Sequence, residues 1–347
     1  MVATLDDTKR AAIGMQLASI KAIQELLISN ARTLIPQISD RDVCDRLQSI
    51  LDDDQKNLGI LDTVIVQYGN KEAPKKTVTE FVQKAKQLVE GSELSLYEKV
   101  FQHELLKHQQ VMSGIIVHKA AQKVGADVEA AITPLNTVNF ENRAHQEQLK
   151  GVLEVLGVRE LTGQEADQGL WARVQDAVAA LTGVAGSVIT QNSDKSDMNI
   201  QDVIRMDHQK VNILFMELDK TDDPQKVQEY FGQIYKDLTV HSKAEEQVVY
   251  PAVRPFYGEA NTQELYDEQA QMESLLNEIK ALNPALPEFK TRVTQLKDMV
   301  MDHVRQEEST MFTAIRNNCS SDQSERMASE FKAAKSKLQD ELKASIR

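Results

Sequence analysis

The chain has 347 residues, 41% of them hydrophobic, with only 14 Gly and 8 Pro. This length accommodates two domains, each with a core of its own, and the scarcity of turn-forming residues argues against a protein rich in β-structure. The formal net charge of −13 predicts that neither nucleic acid nor an anionic membrane is a partner, because both repel an acidic chain on average.

Two further features predict the compartment. Cys44 and Cys319 lie far apart and fit no metal-ligand spacing, which is typical of reduced thiols. The opening residues MVATLDDTKR contain no apolar signal segment, and we find no run of about 18 apolar residues of the kind that crosses a bilayer. We therefore expect a cytoplasmic protein without a membrane-spanning helix.

Apolar residues recur at intervals of three and four along the first half of the chain, which is the period of an α-helix. This period predicts helices at residues 6–34, 40–69, 76–90, 93–124, 126–157 and 164–190. The polar stretch from Gln191 to Asp197 lacks the period, so we predict a linker there.

The second half continues with the same period and with prolines at the breaks, as at Asp223-Pro224, where a capping acid precedes a first-turn proline. Helices are predicted at 199–219, 224–253, 260–282, 287–317 and 322–345. The predicted fold is all-α, with two consecutive four-helix bundles. The predicted units are a bundle at 1–160, a connecting helix and linker at 161–197, a bundle at 198–317 and a C-terminal helix at 318–347.

Three histidines of the second half interrupt the apolar stripes of three different helices, namely His208, His241 and His303. Glu245 and Glu307 each follow a histidine by four residues, which puts a nitrogen and an oxygen donor one turn apart on one helix face. A carboxylate on a core-facing stripe is costly unless a cation or another partner compensates it. The pattern therefore predicts a pair of metal ions, iron first and manganese or zinc as alternatives. A buried network of ion pairs is the other interpretation.

The third helix of this half should add a ligand. Gln269 occupies the core position of its stripe, and Glu273 follows four residues later. Either side chain can supply an oxygen donor.

At these residues the sequence resembles the hemerythrin-like, HHE cation-binding family. The matching pieces are Asp207-His208, the segment from His241 through Glu245 to Tyr250-Pro251, and the segment from His303 to Glu307-Glu308. The resemblance covers about 198–317. It implies an up-down-up-down bundle around a carboxylate-bridged di-iron centre. His208 and His241 would bind one iron, His303 the other, and Glu245 and Glu307 would bridge them.

The chain departs from this family at one position, because Gln269 stands where the family usually has a histidine. Three outcomes follow from the resemblance: weak binding by Gln269, replacement by Glu273, or an open coordination position. An open position favours sensing or peroxide chemistry over reversible oxygen carriage.

The first half offers a second, less regular set of donors on four helices, namely Glu25, Asp54, His108, Glu141 and His145. This half, over about 5–157, resembles ferritin-like bundles of a bacterial stress-protein family, which implies a second metal site. The usual Glu-x-x-His pair is missing, so a hydrogen-bonded polar layer is the alternative. His103 and His118 fall off the apolar stripe and are expected at the surface.

These features lead to three hypotheses. The first is a cytoplasmic di-iron protein that binds or reacts with O2 or hydrogen peroxide in oxidative stress or iron homeostasis, with catalase-like or peroxidase activity. The second is a non-enzymatic iron or oxygen sensor, and the third is a structural stress protein with degenerate sites. A homo-oligomer or a stress-related protein is the expected macromolecular partner.

Overall fold

The computed structural model describes residues 7–69, 71–167, 169–184 and 199–346. The described residues form helices and connecting turns with no β-strand, which confirms the all-α prediction. The predicted linker at Gln191–Asp197 and the end of the predicted helix at 164–190 lie outside the described residues.

The helices of the first half are α1 (Asp7–Leu34), α2 (Arg41–Tyr68), α3 (Lys76–Glu90), α4 (Leu96–Val124), α5 (Ala126–Ile132), α6 (Leu135–Thr162) and α7 (Leu170–Val184). Local chemistry explains their starts. Ser95 accepts the backbone N–H of Glu98 while the Glu98 carboxylate accepts that of Ser95, a reciprocal cap at the start of α4. The single helix predicted at 126–157 is divided at Pro134, whose missing N–H interrupts the helical ladder.

The helices of the second half are α8 (Ile200–Lys220), α9 (Pro224–Ala244), α10 (Tyr250–Tyr257), α11 (Glu259–Lys280), α12 (Pro287–Gln306), α13 (Phe312–Asn318) and α14 (Ser321–Ile346). A π-helical turn at Glu245–Val249 joins α9 to α10, and another at Glu307–Met311 joins α12 to α13. The second bundle therefore contains two long helical rods, one formed by α9 and α10 and the other by α12 and α13. Each rod has a wider, π-helical turn that begins at a predicted donor residue.

Two apolar layers fill the second bundle. One contains Val211 and Leu214 of α8 with Phe231, Leu276 and Leu296. The other contains Ile204 of α8 with residues of α10, α13 and α14. His208 lies between these layers in the sequence of α8, so the predicted donors occupy a polar layer enclosed by hydrocarbon on both sides.

The two bundles contact each other directly. Lys210 on α8 donates from Nζ to the backbone oxygen of Gln67 at 2.9 Å. Gln67 in turn donates from Nε2 to the backbone oxygen of Val203 at 3.2 Å. The C-terminal helix α14 packs on α2, α8 and α9, and so contacts both bundles.

Helix α4 buries the face opposite to the one that its apolar residues predict. The α-helical period of the apolar residues places Phe101, Leu105 and Met112 on one stripe, which would be expected to face the core, but they are 41%, 45% and 45% exposed. The buried face carries His103 and Lys107 instead. This register brings Lys107 to Asp54, Asn142 and His145, so the burial of Lys107 follows its polar contacts and not hydropathy.

One helical segment, Arg10–Gln37, is long and apolar enough to cross a membrane by length and composition. Its most apolar stretch is 56% buried inside the protein. A core helix of a bundle passes the same composition test, and α1 contacts α2, α3 and α4.

The packing of α7 on α6 depends on a close approach at Gly151. A Cβ built on Gly151 would lie 2.7 Å from ring atom Cζ3 of Trp171 and 2.7 Å from a Val174 methyl. We expect Gly151→Ala to destabilise this contact by roughly 1–3 kcal/mol, because the ring and the branched side chain must both move. Gly169→Ala, which meets nothing nearer than 3.5 Å, is the control. Denaturant unfolding followed by fluorescence of Trp171, the chain's one tryptophan, measures both, and equal stabilities would contradict the expectation.

Candidate metal centre

Four predicted donors from three elements converge in the polar layer of the second bundle. One ligand atom each of His208, His241, Glu245 and Glu307 lies within 4.8 Å of every other. All four side chains are buried, and both glutamates have no exposed surface. This geometry agrees with the prediction that these donors lie on core-facing stripes, and their binding of a metal stays a prediction.

His303 lies at the edge of the same group. Its Nε2 is 3.3 Å from Oε1 of Glu307 and 3.3 Å from the Tyr250 hydroxyl. Tyr250 donates from that hydroxyl to Glu307 Oε1 at 2.8 Å and is fully buried. Tyr250 is thus a component of the site, whereas the sequence named it only as part of a segment that resembles the family.

The π-helical turns explain how Tyr250 reaches the site. In each turn the backbone N–H bonds five residues back, from Tyr250 to Glu245 and from Phe312 to Glu307. The extra residue rotates the chain that follows, so Val249 and Tyr250 are buried and Val248 only partly so. A regular α-helical period through His241 and Glu245 would place Val248 on the core stripe instead, so a sequence pattern alone cannot anticipate this shift.

Each histidine is held by a carboxylate on the side away from the centre. The Nδ1 atoms of His208, His241 and His303 lie 2.9 Å from Glu308, 3.0 Å from Asp207 and 2.6 Å from Glu268, respectively. A proton on Nδ1 then leaves the Nε2 lone pair free, which is the arrangement that metal-binding histidines adopt.

The unsatisfied atoms of the layer test whether a cation fits. His208 Nε2, Glu245 Oε1 and Glu307 Oε2 are buried and make no hydrogen bond of good geometry, although His208 Nε2 and Glu307 Oε2 lie 3.2 Å apart as an ion pair. Buried polar atoms rarely lack one, and here all three are acceptors or ligand atoms that lie together. Imidazole nitrogens with carboxylate oxygens suit iron, manganese or zinc, so the residues present fit a metal.

The same charges shift the acid–base behaviour of the histidines. Burial alone would lower the pKa of His241, but the Glu245 carboxylate and the hydrogen bond to Asp207 outweigh it and raise that pKa to about 10. Burial would likewise lower the pKa of His303, but the Glu307 carboxylate outweighs burial and raises this pKa to about 10. Positive charge is strongly favoured throughout this layer.

The two predicted donors of the third helix have different positions. Gln269 is buried and donates from Nε2 to Glu245 Oε2 at 2.8 Å and to the Tyr250 hydroxyl at 2.5 Å. Its Oε1 is buried without a partner. Glu273 is exposed on the same helix, so its side chain does not enter the buried donor group. The role of Gln269 as a ligand stays a prediction.

In the first bundle a lysine occupies the centre of the predicted donor set. Lys107 is fully buried and bonds Asp54, and its Nζ lies 2.8 Å from Asn142 Oδ1 and 3.1 Å from His145 Nδ1. The ammonium group thereby supplies the positive charge that Asp54 requires. On its other nitrogen, His145 lies 3.2 Å from the Asp53 carboxylate.

Two residues predicted for this second site point elsewhere. Glu25 is exposed and lies 3.8 Å from Lys21, and His108 is exposed beside Gln146. The expectation that both face the interior is wrong, because the registers of α1 and α4 present Gln24 and Lys107 to the core instead. His103, expected at the surface, is fully buried with both ring nitrogens unpartnered. Among the described residues, the group of donors close enough to share a cation is in the second bundle; metal binding by the first stays a prediction.

Comparison with known proteins gives two matches. The family model described as Hemerythrin HHE cation binding domain matches residues 199–315. A protein of Nostoc sp. (strain PCC 7120 / SAG 25.82 / UTEX 2576) named DNA nickase is 67% identical over 342 residues, which cover 99% of this chain and 97% of that protein. No solved structure gives a significant match.

The similarity to a protein named DNA nickase corrects one prediction. Net charge led us to exclude nucleic acid as a partner, and a relative with this name at 67% identity makes that exclusion wrong. The physical reason is that net charge sums over the whole chain. Residues 71–86 contain five lysines against two glutamates, so the local charge is positive within an acidic protein.

The polar layer of the first bundle generates a prediction about pH. Burial, and then the Asp53 carboxylate, raise the pKa of Glu141 from 4.5 to about 7. When folding raises the pKa of a carboxyl group, the folded state gains stability at pH values below the pKa of that group in the unfolded state. This contribution is lost as the pH rises through the pKa of the group in the folded state. Unfolding free energy should therefore fall between pH 4.5 and 7.

We expect Glu141→Gln to reduce this loss by roughly 1–2 kcal/mol, an amount discounted for the partial exposure of Glu141. Denaturant unfolding at pH 5 and pH 8, followed by Trp171 fluorescence, measures the change. Glu147→Gln, on the same helix and beside Lys150, is the control. An unchanged pH dependence in Glu141→Gln would refute the assignment.

Proposed function

The chain belongs to the hemerythrin HHE cation-binding family, and we propose that it is a metal-dependent protein that nicks DNA. The observation that carries this proposal is the 67% identity to a protein named DNA nickase across 97% of that protein's length. The shared region includes both bundles and α14, so the similarity extends well beyond the cation-binding domain.

We propose that His208, His241, Glu245, His303 and Glu307 hold the metal, with two irons as the first choice and manganese or zinc as alternatives. Gln269 is the remaining candidate ligand. A bound metal of this type supplies either Lewis-acid activation of water or redox chemistry with oxygen or peroxide. The buried, unpartnered ligand atoms of the layer support this assignment.

The space beside the donors limits what can bind there. A cavity of about 20 Å³ is lined by His208, His241 and His303 together with apolar side chains such as Val211 and Met272. This volume holds a molecule of the size of water. A DNA strand does not fit such a cavity, so we propose that DNA binds the outer surface and that only a small molecule such as O2, peroxide or water reaches the centre.

For the DNA-binding surface we propose the basic segment that begins α3. Its lysines at 71, 75, 76, 84 and 86 are exposed. The ion pairs of Lys76 with Glu80 and of Lys86 with Glu90 are 3.8 and 3.6 Å long on the surface, where such pairs contribute little. These side chains are therefore available to contact phosphates.

A plasmid assay tests the proposal. Incubation with ferrous or manganous ions should convert supercoiled plasmid to the relaxed circle, and removal of metal by a chelator should abolish conversion. The double substitution His241→Ala/His303→Ala should slow relaxation at least about tenfold, because it removes two imidazole ligands. His108→Ala, an exposed histidine, should behave as wild type.

Treatment of the product with DNA ligase separates two mechanisms. Resealing indicates hydrolysis of the phosphodiester, and ends that cannot be resealed indicate oxidative damage by a small oxidant. Nicking that persists in the double variant with metal chelated would contradict the role of the metal centre while leaving DNA nicking intact.

The basic segment is tested separately by Lys75→Glu/Lys76→Glu. Loss of two phosphate contacts should lower the slope of log affinity against log salt by about 2. Fluorescence anisotropy with a labelled duplex measures the slope. Glu259→Lys/Glu288→Lys, which adds positive charge far from this segment in the sequence, controls for net charge. An unchanged slope in the lysine variant would exclude this segment as the contact.

The small cavity favours a second candidate function, decomposition of hydrogen peroxide to water and oxygen at the same centre. Two molecules of peroxide give two of water and one of oxygen, so no organic reductant is consumed. With iron bound, we expect oxygen release, measured with an oxygen electrode, that is lost in the His241→Ala/His303→Ala variant and kept in His108→Ala. No release from the iron-loaded protein would exclude this function. Such chemistry fits a stress or iron-homeostasis role, and the free thiols of Cys44 and Cys319 fit a cytoplasmic location.

A further inference from the structure

Helix α14 lies beyond the residues that match the cation-binding family, yet it contacts the candidate metal centre. The family match ends at residue 315, and α14 spans Ser321–Ile346. Lys335 on this helix is 4% exposed. Its Nζ lies 2.5 Å from Oδ1 and 2.6 Å from Oδ2 of Asp207, so the ammonium group holds both oxygens of the carboxylate.

Asp207 also contacts the predicted ligand His241. Its Oδ2 lies 3.0 Å from Nδ1 of His241, and Nε2 of the same ring lies 3.2 Å from Glu245 Oε2. The aromatic ring of Phe331, one turn before Lys335, meets the His241 ring edge-on with centroids 6.0 Å apart at 82°. Helix α14 therefore fixes His241 by a charge contact and by ring packing.

The physical consequence concerns the orientation of the His241 ring. A buried carboxylate held by a buried ammonium group is fixed in place and can accept a hydrogen bond on its free side. Here the Asp207 carboxylate holds Nδ1 of His241, so the ring directs Nε2 toward Glu245 in the donor layer. Without Lys335, the buried Asp207 carboxylate would lose the ammonium contact that fixes both of its oxygens.

We propose that Lys335 is a positioning residue of the metal centre, which acts through Asp207 to orient His241 for metal binding. This inference rests on the proposed metal centre. The same helix also bonds the first bundle, where Lys332 donates to Thr63 Oγ1 at 3.1 Å and Gln339 to the backbone oxygen of Val66 at 3.1 Å. The centre and the first bundle thus share one helix as a common support.

Cobalt(II) titration of the full chain tests the proposal, because the visible absorption of cobalt reports its ligand geometry as well as its affinity. We expect Lys335→Met to weaken cobalt binding by about 10–100-fold, the usual effect of removing an outer-shell partner. Lys335→Arg keeps the cation and should restore most of the affinity. Lys337→Met, on the same helix with an exposed pairing to Glu341 at 3.8 Å, is the matched control and should bind as wild type.

The thermal midpoint with and without cobalt separates positioning from simple stability. Metal bound only to the folded state raises the midpoint by mass action, and Lys335→Met should show a smaller cobalt-induced rise than Lys337→Met. Equal rises and equal affinities would overturn the proposal. If Lys335→Met does not fold, Lys335→Gln, which keeps a donor but no charge, takes its place with the same expected loss. Absence of cobalt binding by the wild type would refute the metal centre itself, which is a different result.

Discussion

The second bundle depends on how it compensates the negative charge of two fully buried glutamates. Glu245 and Glu307 come from different rods and lie in a layer with hydrocarbon above and below, where an unpaired carboxylate is strongly disfavoured. Three histidines supply the partners, and each is anchored from behind by a further carboxylate. A divalent cation satisfies this arrangement better than protons alone, because it also engages the ligand atoms that have no hydrogen-bond partner.

The first bundle meets a similar requirement with a group from the chain itself. Lys107 reaches Asp54, Asn142 and His145 in the interior, so an ammonium ion stands within the donor set predicted for a second metal site. The lysine nitrogen is attached covalently to the chain, so it cannot be exchanged for a metal ion from solvent. The two bundles therefore use similar residue types. In the first the positive charge comes from a lysine, and in the second the His and Glu side chains form a group that could hold a metal ion.

The burial of the donors separates the chemistry of the centre from any contact with DNA. The glutamates have no exposed surface, and the adjoining cavity holds a water-sized molecule. A nucleic-acid partner is therefore expected at the outside, where the start of α3 gathers lysines in an otherwise acidic chain. Helix α14 contacts both the centre and the first bundle, since it bonds Asp207 behind His241 on one side and Thr63 and Val66 of α2 on the other.

The sequence alone determined the helical class, most helix boundaries and the placement of the five candidate donors on core-facing stripes, because the α-helical period and the His-x-x-x-Glu spacing are local properties of the chain. It did not determine the buried face of α4, where a competing apolar stripe lies on the surface and the core is chosen by the partners of Lys107. It also missed Tyr250, since the π-helical turn at Glu245 displaces the period by a residue. Lys335 reaches Asp207 across 128 residues, and only the tertiary structure decides which distant charges meet.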